Sequence, residues 1–315
     1  MNDLERRLAV PYIKLKFTID FPNGAVLPEH KVSALRGMMG EALLAQFCVR
    51  DRNCAVCPFE KSCIVRMTMY TQTEKKPAFM QGSSDSVGYL LEYEDRRTQF
   101  TPEDESFFFL TLFGRNIEYF SLYLNALYQT GRTGIGKGNQ QFRILRIETQ
   151  EHTMLLDGNN VDMRNFRFRT LGDYVQKRYF RLRETHRNAK EPDIYRVTFH
   201  TPLCVKYEGK YIRQFSAEAI VPAVFRRIMM LDYFTEQYIE MPQPERLPVS
   251  SAQRSFPAEV TRYSSTQDRK ITLRGITGFI SLKDVSEEML KYLLAGELLH
   301  IGKNTSFGFG RYTVE

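Results

Sequence analysis

The sequence lacks any run of apolar residues that could span a membrane. A transmembrane helix needs roughly 20 mostly apolar residues in succession, and no stretch of this 315-residue chain approaches that length. The N-terminus, MNDLERRLAV, has two arginines but not the apolar segment that follows them in a signal peptide. We therefore expect a cytoplasmic protein without a membrane partner.

Cysteine is scarce, and its distribution argues against disulfides. Four of the five cysteines follow the pattern C-x5-C-x2-C-x5-C, which in a cytoplasmic protein indicates metal binding. Four thiolates suit a structural zinc ion, because no coordination position stays open for catalysis. An iron–sulfur cluster uses the same ligand type, and four unrelated thiols are the third interpretation. The candidate ligands are Cys48, Cys54, Cys57 and Cys63.

Histidine, the usual acid–base group near neutral pH, is present only five times. His300 follows the last predicted helix and precedes Lys303 by three residues, so an imidazole and an ammonium lie close in sequence. His30 lies in the turn before the first predicted helix, near Arg36. We rank His300 first and His30 second as catalytic candidates, although a histidine chosen at random is more often structural.

Charge and length set broad limits on the partners and the domain count. A net charge of +7 and a pI near 9.1 favour polyanionic partners, although a weakly basic enzyme without a nucleic-acid partner would show the same balance. With 43% hydrophobic and 13% aromatic residues, the chain can build proper cores. Its length is more typical of two domains than of one.

The predicted elements pass twice through the order β-α-β-β-α-β, which is typical of ferredoxin-like (RRM-like) domains. Alternating apolar and polar residues predict a strand at Val10–Phe21, and Ser33 is placed to cap the helix that follows. Strand-like segments come after the cysteines at Ile64–Thr71 and Ser86–Tyr93, and a clear strand at Ser106–Phe113.

The second set of elements begins near residue 194. A helix is predicted at Ala217–Tyr238, with its first turn near Pro222, because proline is tolerated only there. Strands are predicted at Val260–Tyr263 and Ile271–Leu282, before a last helix. We therefore expect an α+β chain of two tandem ferredoxin-like domains, residues 1–147 and 194–315, joined by a basic segment, residues 148–193. The first domain would contain the four-cysteine metal-binding insertion, about residues 48–63.

Each half ends in a helix, a glycine-rich loop and a strand. Glycine lets a backbone approach a ligand closely and turn its N–H groups towards an anion. Two such loops at equivalent positions, each with a lysine, favour contact with phosphate groups. The candidate RNA-binding residues are Gly134, Gly136 and Lys137 in the first loop and Gly302, Gly308, Gly310 and Arg311 in the second. The segment His300–Arg311 is thus expected to form part of an RNA-binding surface.

The connecting segment, residues 148–193, interleaves nine arginines and lysines with aromatic residues. Such a run can hold a phosphate backbone while it stacks bases. A solvated face on a connecting helix or long hairpin is the other interpretation, and we favour it slightly.

Several segments, taken in order and spacing, resemble a known family. They are SALRGMMGEALL before the cysteines, FFFLTLFG, GIGKGNQQFRILRIE, TPLCVKYEGK, AVFRRIMMLDYF, LRGITGFISL and LLHIGKNTSFGFGRY. Together they resemble the CRISPR repeat-processing endoribonucleases of the RAMP superfamily, in the branch with a cysteine-rich insertion. The resemblance covers nearly the whole chain.

This resemblance implies two ferredoxin-like domains that face each other across a cleft holding a CRISPR repeat of the precursor RNA. It also implies cleavage without a catalytic metal, in which the ribose 2′-OH attacks phosphorus and leaves 2′,3′-cyclic phosphate and 5′-OH ends. His300 or His30 would be the base or acid, with Lys303, Arg36 or Arg311 stabilising charge. A family histidine near the first helix favours His30, whereas the HIGK segment favours His300.

Two other functions stay open at this point. A non-catalytic RAMP subunit would share both domains but only bind guide RNA, among other subunits of a CRISPR effector complex. A metal-stapled protein-interaction module would have no RNA partner.

Overall fold

The structure is a computed structural model that describes residues 2–70, 73, 75–80, 86–187, 193–264 and 269–315. Its helices are α1 (Asp3–Leu8), α2 (Val32–Phe47), α3 (Ile64–Met69), α4 (Phe120–Thr133), α5 (Leu171–His186), α6 (Ala217–Phe234) and α7 (Glu287–Leu299). Its strands are β1 (Pro11–Asp20), β2 (Ala25–Val26), β3 (Tyr89–Glu92), β4 (Gln99–Phe100), β5 (Glu105–Phe113), β6 (Arg143–Thr149), β7 (Met154–Asp157), β8 (Asn160–Val161), β9 (Arg169–Thr170), β10 (Tyr195–Leu203), β11 (Lys206–Tyr207), β12 (Lys210–Tyr211), β13 (Val249–Ser264), β14 (Arg269–Lys283) and β15 (Tyr312–Val314).

Each half of the chain builds its own antiparallel sheet, and the two sheets have equivalent strand orders. In the first, the strand order is β3-β5-β1-β6, extended by β7 and β8, and in the second it is β13-β14-β10-β15. Each sheet therefore has the first and third strands of its β-α-β-β-α-β unit in the middle and the second and fourth outside them. This confirms the predicted α+β class with tandem ferredoxin-like domains.

The N-terminal sheet is buried on one face and partly buried on the other. One face packs on α2 and α4, where Phe17 and Phe108 stack at 5.0 Å between ring centroids. Residues of the other face, including Tyr12, Leu90 and Phe113, belong to the same apolar core as the C-terminal helices. In the run FFFLTLF of β5, Phe108, Leu110 and Leu112 face the first core and Phe113 faces the second. Phe107 and Phe109 are half-buried on the second face, beneath Lys16 and Lys14.

Polar contacts cross the same boundary. Arg227 of α6, only 3% exposed, donates from Nη1 to the carbonyl of Ser86 at 2.9 Å and from Nε to the carbonyl of Leu299 at 2.9 Å. It thereby ties the chain just before β3 to the end of α7. A large apolar interface with buried hydrogen bonds holds two domains in one fixed arrangement.

The connecting segment joins both domains instead of lying apart from them. Strands β7 and β8 extend the first sheet, and β9 pairs with β1. Helix α5 packs in the C-terminal core, and Arg178 pairs with Glu297 of α7 at 2.9 Å. The favoured interpretation of a connecting helix and hairpin agrees with this arrangement, while the arginines and aromatic residues of its outer face remain candidates for RNA contact.

Several local predictions were wrong. Ile64–Thr71 was expected to be a strand, but Ile64–Met69 is helix α3; periodicity alone does not separate a short apolar strand from a helix. Ser33 does not cap α2, whose N-cap is Lys31. Pro222 lies inside α6, which begins at Ala217 behind a Ser216 cap. Strand β13 is much longer than the predicted Val260–Tyr263, whereas β14 extends the predicted Ile271–Leu282 by only three residues. No helix in the described ranges is both long and apolar enough to cross a membrane.

A buried ion pair joins helix α1, at the start of the chain, to α6 of the C-terminal domain. Arg7 and Asp232 of α6 are 2% and 0% exposed, with Nε and Oδ2 at 2.9 Å. Arg7 also donates to Tyr292 Oη at 3.1 Å and to the carbonyl of Glu240. Burial raises the pKa of Asp232 to about 7, even though Arg7 opposes the shift.

We expect Arg7→Ala to lower the free energy of unfolding by about 3–5 kcal/mol at pH 8, where Asp232 is ionised, because it leaves a buried carboxylate without its partner. The double variant Arg7→Met/Asp232→Leu should recover most of that loss. Urea denaturation measures both. As a control, Arg6→Ala removes a cation that pairs with Asp3 at the surface and should cost less than about 1 kcal/mol. Equal losses at positions 6 and 7 would contradict the buried pair.

Candidate functional site

A small cavity lies where the turn before α2 meets the end of α7. Its volume is about 60 Å³, enough for a few water molecules. Both domains line it, and its titratable side chains are Glu29, His30, Glu92, Tyr93, Glu94, Arg96, His300 and Arg311. The structure therefore brings together the two histidines that the sequence put forward from opposite halves of the chain.

His300 forms the deep part of this cavity. The His300 side chain is only 1% exposed, and its Nε2 lies 3.7 Å from Glu92 Oε1. Its backbone has φ 53° and ψ 154° at the end of α7, a region that is nearly reserved for glycine and costs about 1–3 kcal/mol. Such strain persists where the surrounding structure imposes it and is common at functional sites. Burial lowers the pKa of His300, while Glu92 opposes the shift.

Glu92 connects His300 to Lys14 of β1, two strands away in the sheet. It ends β3, is 5% exposed, and accepts a hydrogen bond from Lys14 Nζ at 2.7 Å. Burial alone would raise the pKa of Glu92, but Lys14 and His300 together hold it well below its usual value. The ionised carboxylate thus faces the Nε2 side of the His300 ring and attracts it electrostatically, since 3.7 Å is longer than a hydrogen bond. Its Nδ1 is buried and has no hydrogen-bond partner among the described residues.

His30 lies at a more accessible part of the same cavity. It is half-buried in the turn before α2, and the next residue anchors that turn: Lys31, itself 0% exposed, donates from Nζ to the carbonyl of Asp95 at 2.7 Å. Burial, and then the charge of Arg96, lower the pKa of His30. The imidazole is therefore neutral at pH 7, the form in which it can accept a proton.

Two arginines supply positive charge beside the histidines. Arg96 pairs with Glu29 at 2.7 Å, and Arg311 pairs with Glu94 at 2.6 Å. Exposed ion pairs of this kind contribute about 0–1 kcal/mol, so an incoming phosphate can replace either carboxylate at little cost. Arg311 was predicted as an RNA-binding residue, whereas Arg96, Lys14 and Glu92 were missed.

Two other predicted residues lie outside the cavity. Lys303 is exposed, and its Nζ lies 5.8 Å from the ring centroid of Tyr211, beside the hairpin β11–β12. Arg36 lies one turn into α2 with its guanidinium over Phe307 at 4.6 Å. Neither lines the cavity with the histidines, so their roles in charge stabilisation remain predictions.

The glycine loops converge on the turn that contains His30. A side chain at Gly308, where φ is +85°, would lie 3.0 Å from Val32 Cγ2, and one at Gly136 would lie 3.3 Å from Leu27 Cδ2. The two loops thus contact the two ends of the segment Leu27–Val32. At Gly310 a Cβ would come 1.8 Å from the carbonyl oxygen of Ile301.

Packing within the protein therefore accounts for several of these glycines. Gly134, Gly308 and Gly310 are buried, Gly136 and Gly302 are half-buried, and Lys137 is exposed. Contact of the loops with RNA remains a prediction, for which Lys137 is the most accessible group.

The four cysteines follow α2, as the sequence predicts, and all line one cleft beside that helix. Cys54 is exposed and the other three are half-buried. Within the part of the chain that the structure describes, no three histidine, cysteine or acidic side chains are gathered closely enough to hold a metal ion. The thiols as arranged do not fit a tetrahedral zinc site, so zinc is not supported and remains a prediction of the sequence.

Comparison with protein families assigns both halves of the chain. A family model described as an N-terminal domain, AF_1859_N, matches residues 9–166, and the model for the CRISPR-associated endoribonuclease Cas6 matches residues 197–312. The C-terminal domain, residues 197–312, thus belongs to the Cas6 family. A search of curated proteins found no match.

Solved structures of Cas6 chains share this fold at low sequence identity. A chain of a Cas6-RT-Cas1–Cas2 complex, solved in part, is 12% identical with a TM-score of 0.53, covering 97% of this chain and 46% of that one. The corresponding chain of a second Cas6-RT-Cas1–Cas2 complex gives the same identity and score over 97% and 29%. This chain thus spans less than half of either. A Cas6 product complex is 13% identical with a TM-score of 0.50 over 98% and 100%.

The cavity contains the buried carboxylate of Glu92, whose charge should have a measurable effect on stability. We expect Glu92→Gln to lower the free energy of unfolding by about 3 kcal/mol near neutral pH, because Lys14 loses a buried partner. Since folding lowers the pKa of Glu92, its contribution is present above the unfolded value of about 4.5 and is lost as pH falls below it. The difference between wild type and variant should therefore shrink below pH 4.5.

Urea denaturation at pH 7, 5 and 4 tests this dependence. Glu94→Gln is the matched control, since Glu94 pairs with Arg311 at the surface and should contribute less than about 1 kcal/mol. A difference for Glu92→Gln that stays constant from pH 7 to pH 4 would show that its carboxylate is not ionised in the folded protein.

Proposed function

We propose that this chain is an endoribonuclease that binds CRISPR repeat RNA and cleaves the precursor transcript within the repeat, without a catalytic metal. The observation that carries the proposal is one cavity, in a chain with a Cas6-family domain, lined by His30, His300, Arg96 and Arg311 from both ferredoxin-like domains. A neutral imidazole can accept the proton of the ribose 2′-OH, which attacks the neighbouring phosphorus. Guanidinium groups that exchange a surface carboxylate for a phosphate can stabilise the charge that develops in this cleavage.

His30 is the group that reacts with RNA in this proposal. It accepts the proton of the ribose 2′-OH, whose oxygen forms a bond to the neighbouring phosphorus. The bond from phosphorus to the 5′ oxygen breaks, and that oxygen takes a proton from solvent at the cavity opening. The products are a 2′,3′-cyclic phosphate and a 5′-OH end. Arg96 and Arg311 stabilise the negative charge that develops on the phosphoryl oxygens.

His300 has a positioning role, although the sequence ranked it first. Its side chain is buried, and Nε2 is directed at Glu92, so it is less accessible to RNA than His30. Together with Glu92 and Lys14, His300 forms the wall against which the reacting nucleotide lies. The cavity itself is too small for a nucleotide, so in this proposal the reaction occurs at its opening, where His30 is half-exposed.

Repeat RNA is the proposed partner, together with other CRISPR proteins. Two of the structurally similar chains come from Cas6-RT-Cas1–Cas2 complexes, which supports assembly with further subunits. A non-catalytic RNA-binding subunit would have the same fold but no reason to place a neutral histidine beside two arginines.

We expect His30→Ala to slow cleavage of repeat RNA by roughly 10²–10⁴, the usual contribution of an acid–base group, with RNA affinity changed only a few-fold. Single-turnover assays in EDTA, with product ends identified by mass spectrometry, measure both rate and chemistry. His300→Ala should slow cleavage less, and a thermal melt checks that it folds. Full activity of His30→Ala with loss in His300→Ala would restore His300 as the reacting group. Tight binding without cleavage by the wild type would favour the non-catalytic subunit.

The pH dependence of kcat/KM provides a second test. Because His30 must be neutral, the rate should rise with pH and level off above the pKa of His30, which lies below 6.5. Arg96 lowers that pKa, so Arg96→Gln should move the inflection to higher pH as well as lower the plateau. Arg97→Gln, which removes a charge paired with Asp95 and Asp104, is the control. An inflection that Arg96→Gln leaves in place would exclude His30 as the titrating group.

A further inference from the structure

A larger cleft continues from the cavity along α2. Its volume is about 810 Å³, within the usual range for small-molecule sites. Phe307, in the segment after α7, lines both the cavity and the cleft. The cleft runs from that ring beside α2 to the loop with the four cysteines. The cavity and the cleft therefore adjoin at the Phe307 ring.

Two arginines, one from each domain, meet at Phe307. The guanidinium carbon of Arg36 lies 4.6 Å from the ring centroid, and that of Arg262 in β13 lies 4.3 Å from it. Both side chains line the cleft. Within the described residues, neither has a carboxylate within 4.0 Å. Against the effect of burial, the hydroxyls of Tyr70 and Tyr89 raise the pKa of Arg36, but the Nε of each arginine is buried without a hydrogen-bond partner among the residues described.

The other arginines of the cleft differ in this respect. Arg52 pairs with Glu41, and Arg66 pairs with Glu60. At Phe307, by contrast, two like charges share one ring, and burial together with the charge of Arg36 lowers the pKa of Arg262. The hydroxyl of Ser33, which also lines the cleft, is buried and has no partner in the described structure. An anion between the two guanidinium groups would relieve this repulsion and satisfy their donors.

We propose that Arg36 and Arg262 bind one phosphate group of the RNA, in a linkage next to the one that is cleaved. The strand beyond it lies unpaired in the cleft, because bases that are recognised individually are presented by single strands. This inference rests on the proposed function for the identity of the strand. The contact between the domains would then have a second role. It would set the distance between the reacting nucleotide and the phosphate that Arg36 and Arg262 bind.

Replacing a charged phosphate linkage of the RNA by an uncharged one locates such a contact. Repeat RNA with a 2′-deoxy group at the cleaved nucleotide is bound but not cut, and each linkage in turn is replaced by a methylphosphonate. For the wild type we expect one linkage near the cleavage position at which the replacement weakens binding by about tenfold, as expected for a charge-assisted hydrogen bond. In Arg262→Gln the same replacement should cost less than twofold, because its partner is already absent. Fluorescence anisotropy at constant salt measures these affinities.

Three further variants test whether the effect is specific to this pair of arginines. Arg254→Gln lies on the same strand, with its guanidinium over Phe256 at 5.0 Å, and should retain the wild-type profile along the RNA. Arg262→Lys keeps the charge and should keep part of the tenfold effect. Arg36→Gln should remove it, and a thermal melt confirms that this variant is folded.

The failure of this inference is distinguishable from the failure of the proposed function. If the wild type cleaves unmodified repeat RNA but methylphosphonate losses and the Arg262→Gln loss simply add at every linkage, the phosphate contact is excluded and the nuclease stands. If the wild type neither binds nor cleaves repeat RNA, both fail. A tenfold effect that disappears in Arg254→Gln as well would also contradict the assignment.

Discussion

The apolar contact between the two ferredoxin-like domains is the constraint on which the rest of the structure depends. Tyr12, Leu90 and Phe113 of the N-terminal sheet belong to the core of the C-terminal domain, so the domains cannot separate without exposing that core. This fixed arrangement places the end of β3 beside the end of α7. Glu92 and His300 meet there, and with them the cavity between the domains.

Burial also decides which histidine is suited to reaction. His300 lies deep, facing a carboxylate that Lys14 keeps ionised, whereas His30 is half-exposed beside arginines whose partners are surface carboxylates. Both imidazoles are neutral near pH 7, since burial lowers the pKa of each. Only His30 combines neutrality with access to a large substrate.

The sequence predicted the fold well and the site only in part. Alternation in β1, the apolar run of β5, helical periodicity in α2 and the two glycine loops were enough to predict tandem ferredoxin-like domains. Both histidines were named from their positions before the first predicted helix and after the last. Short apolar runs such as Ile64–Met69 fit a strand and a helix equally, and the polar outer ends of β13 and β14 have no apolar pattern to mark them. Glu92, Lys14 and Arg262 escaped notice because their partners are distant in sequence, and such pairings follow from topology rather than local pattern.

The central claim is that RNA reacts at the opening of the cavity between the domains. A structure of this chain with a repeat RNA that has a 2′-deoxy group at the cleaved nucleotide tests it most directly. We predict that the scissile phosphate lies at the cavity opening, with the 2′ position within hydrogen-bond distance of the His30 imidazole and the phosphoryl oxygens near Arg311. A scissile phosphate bound elsewhere, with the cavity facing no part of the RNA, would contradict the account.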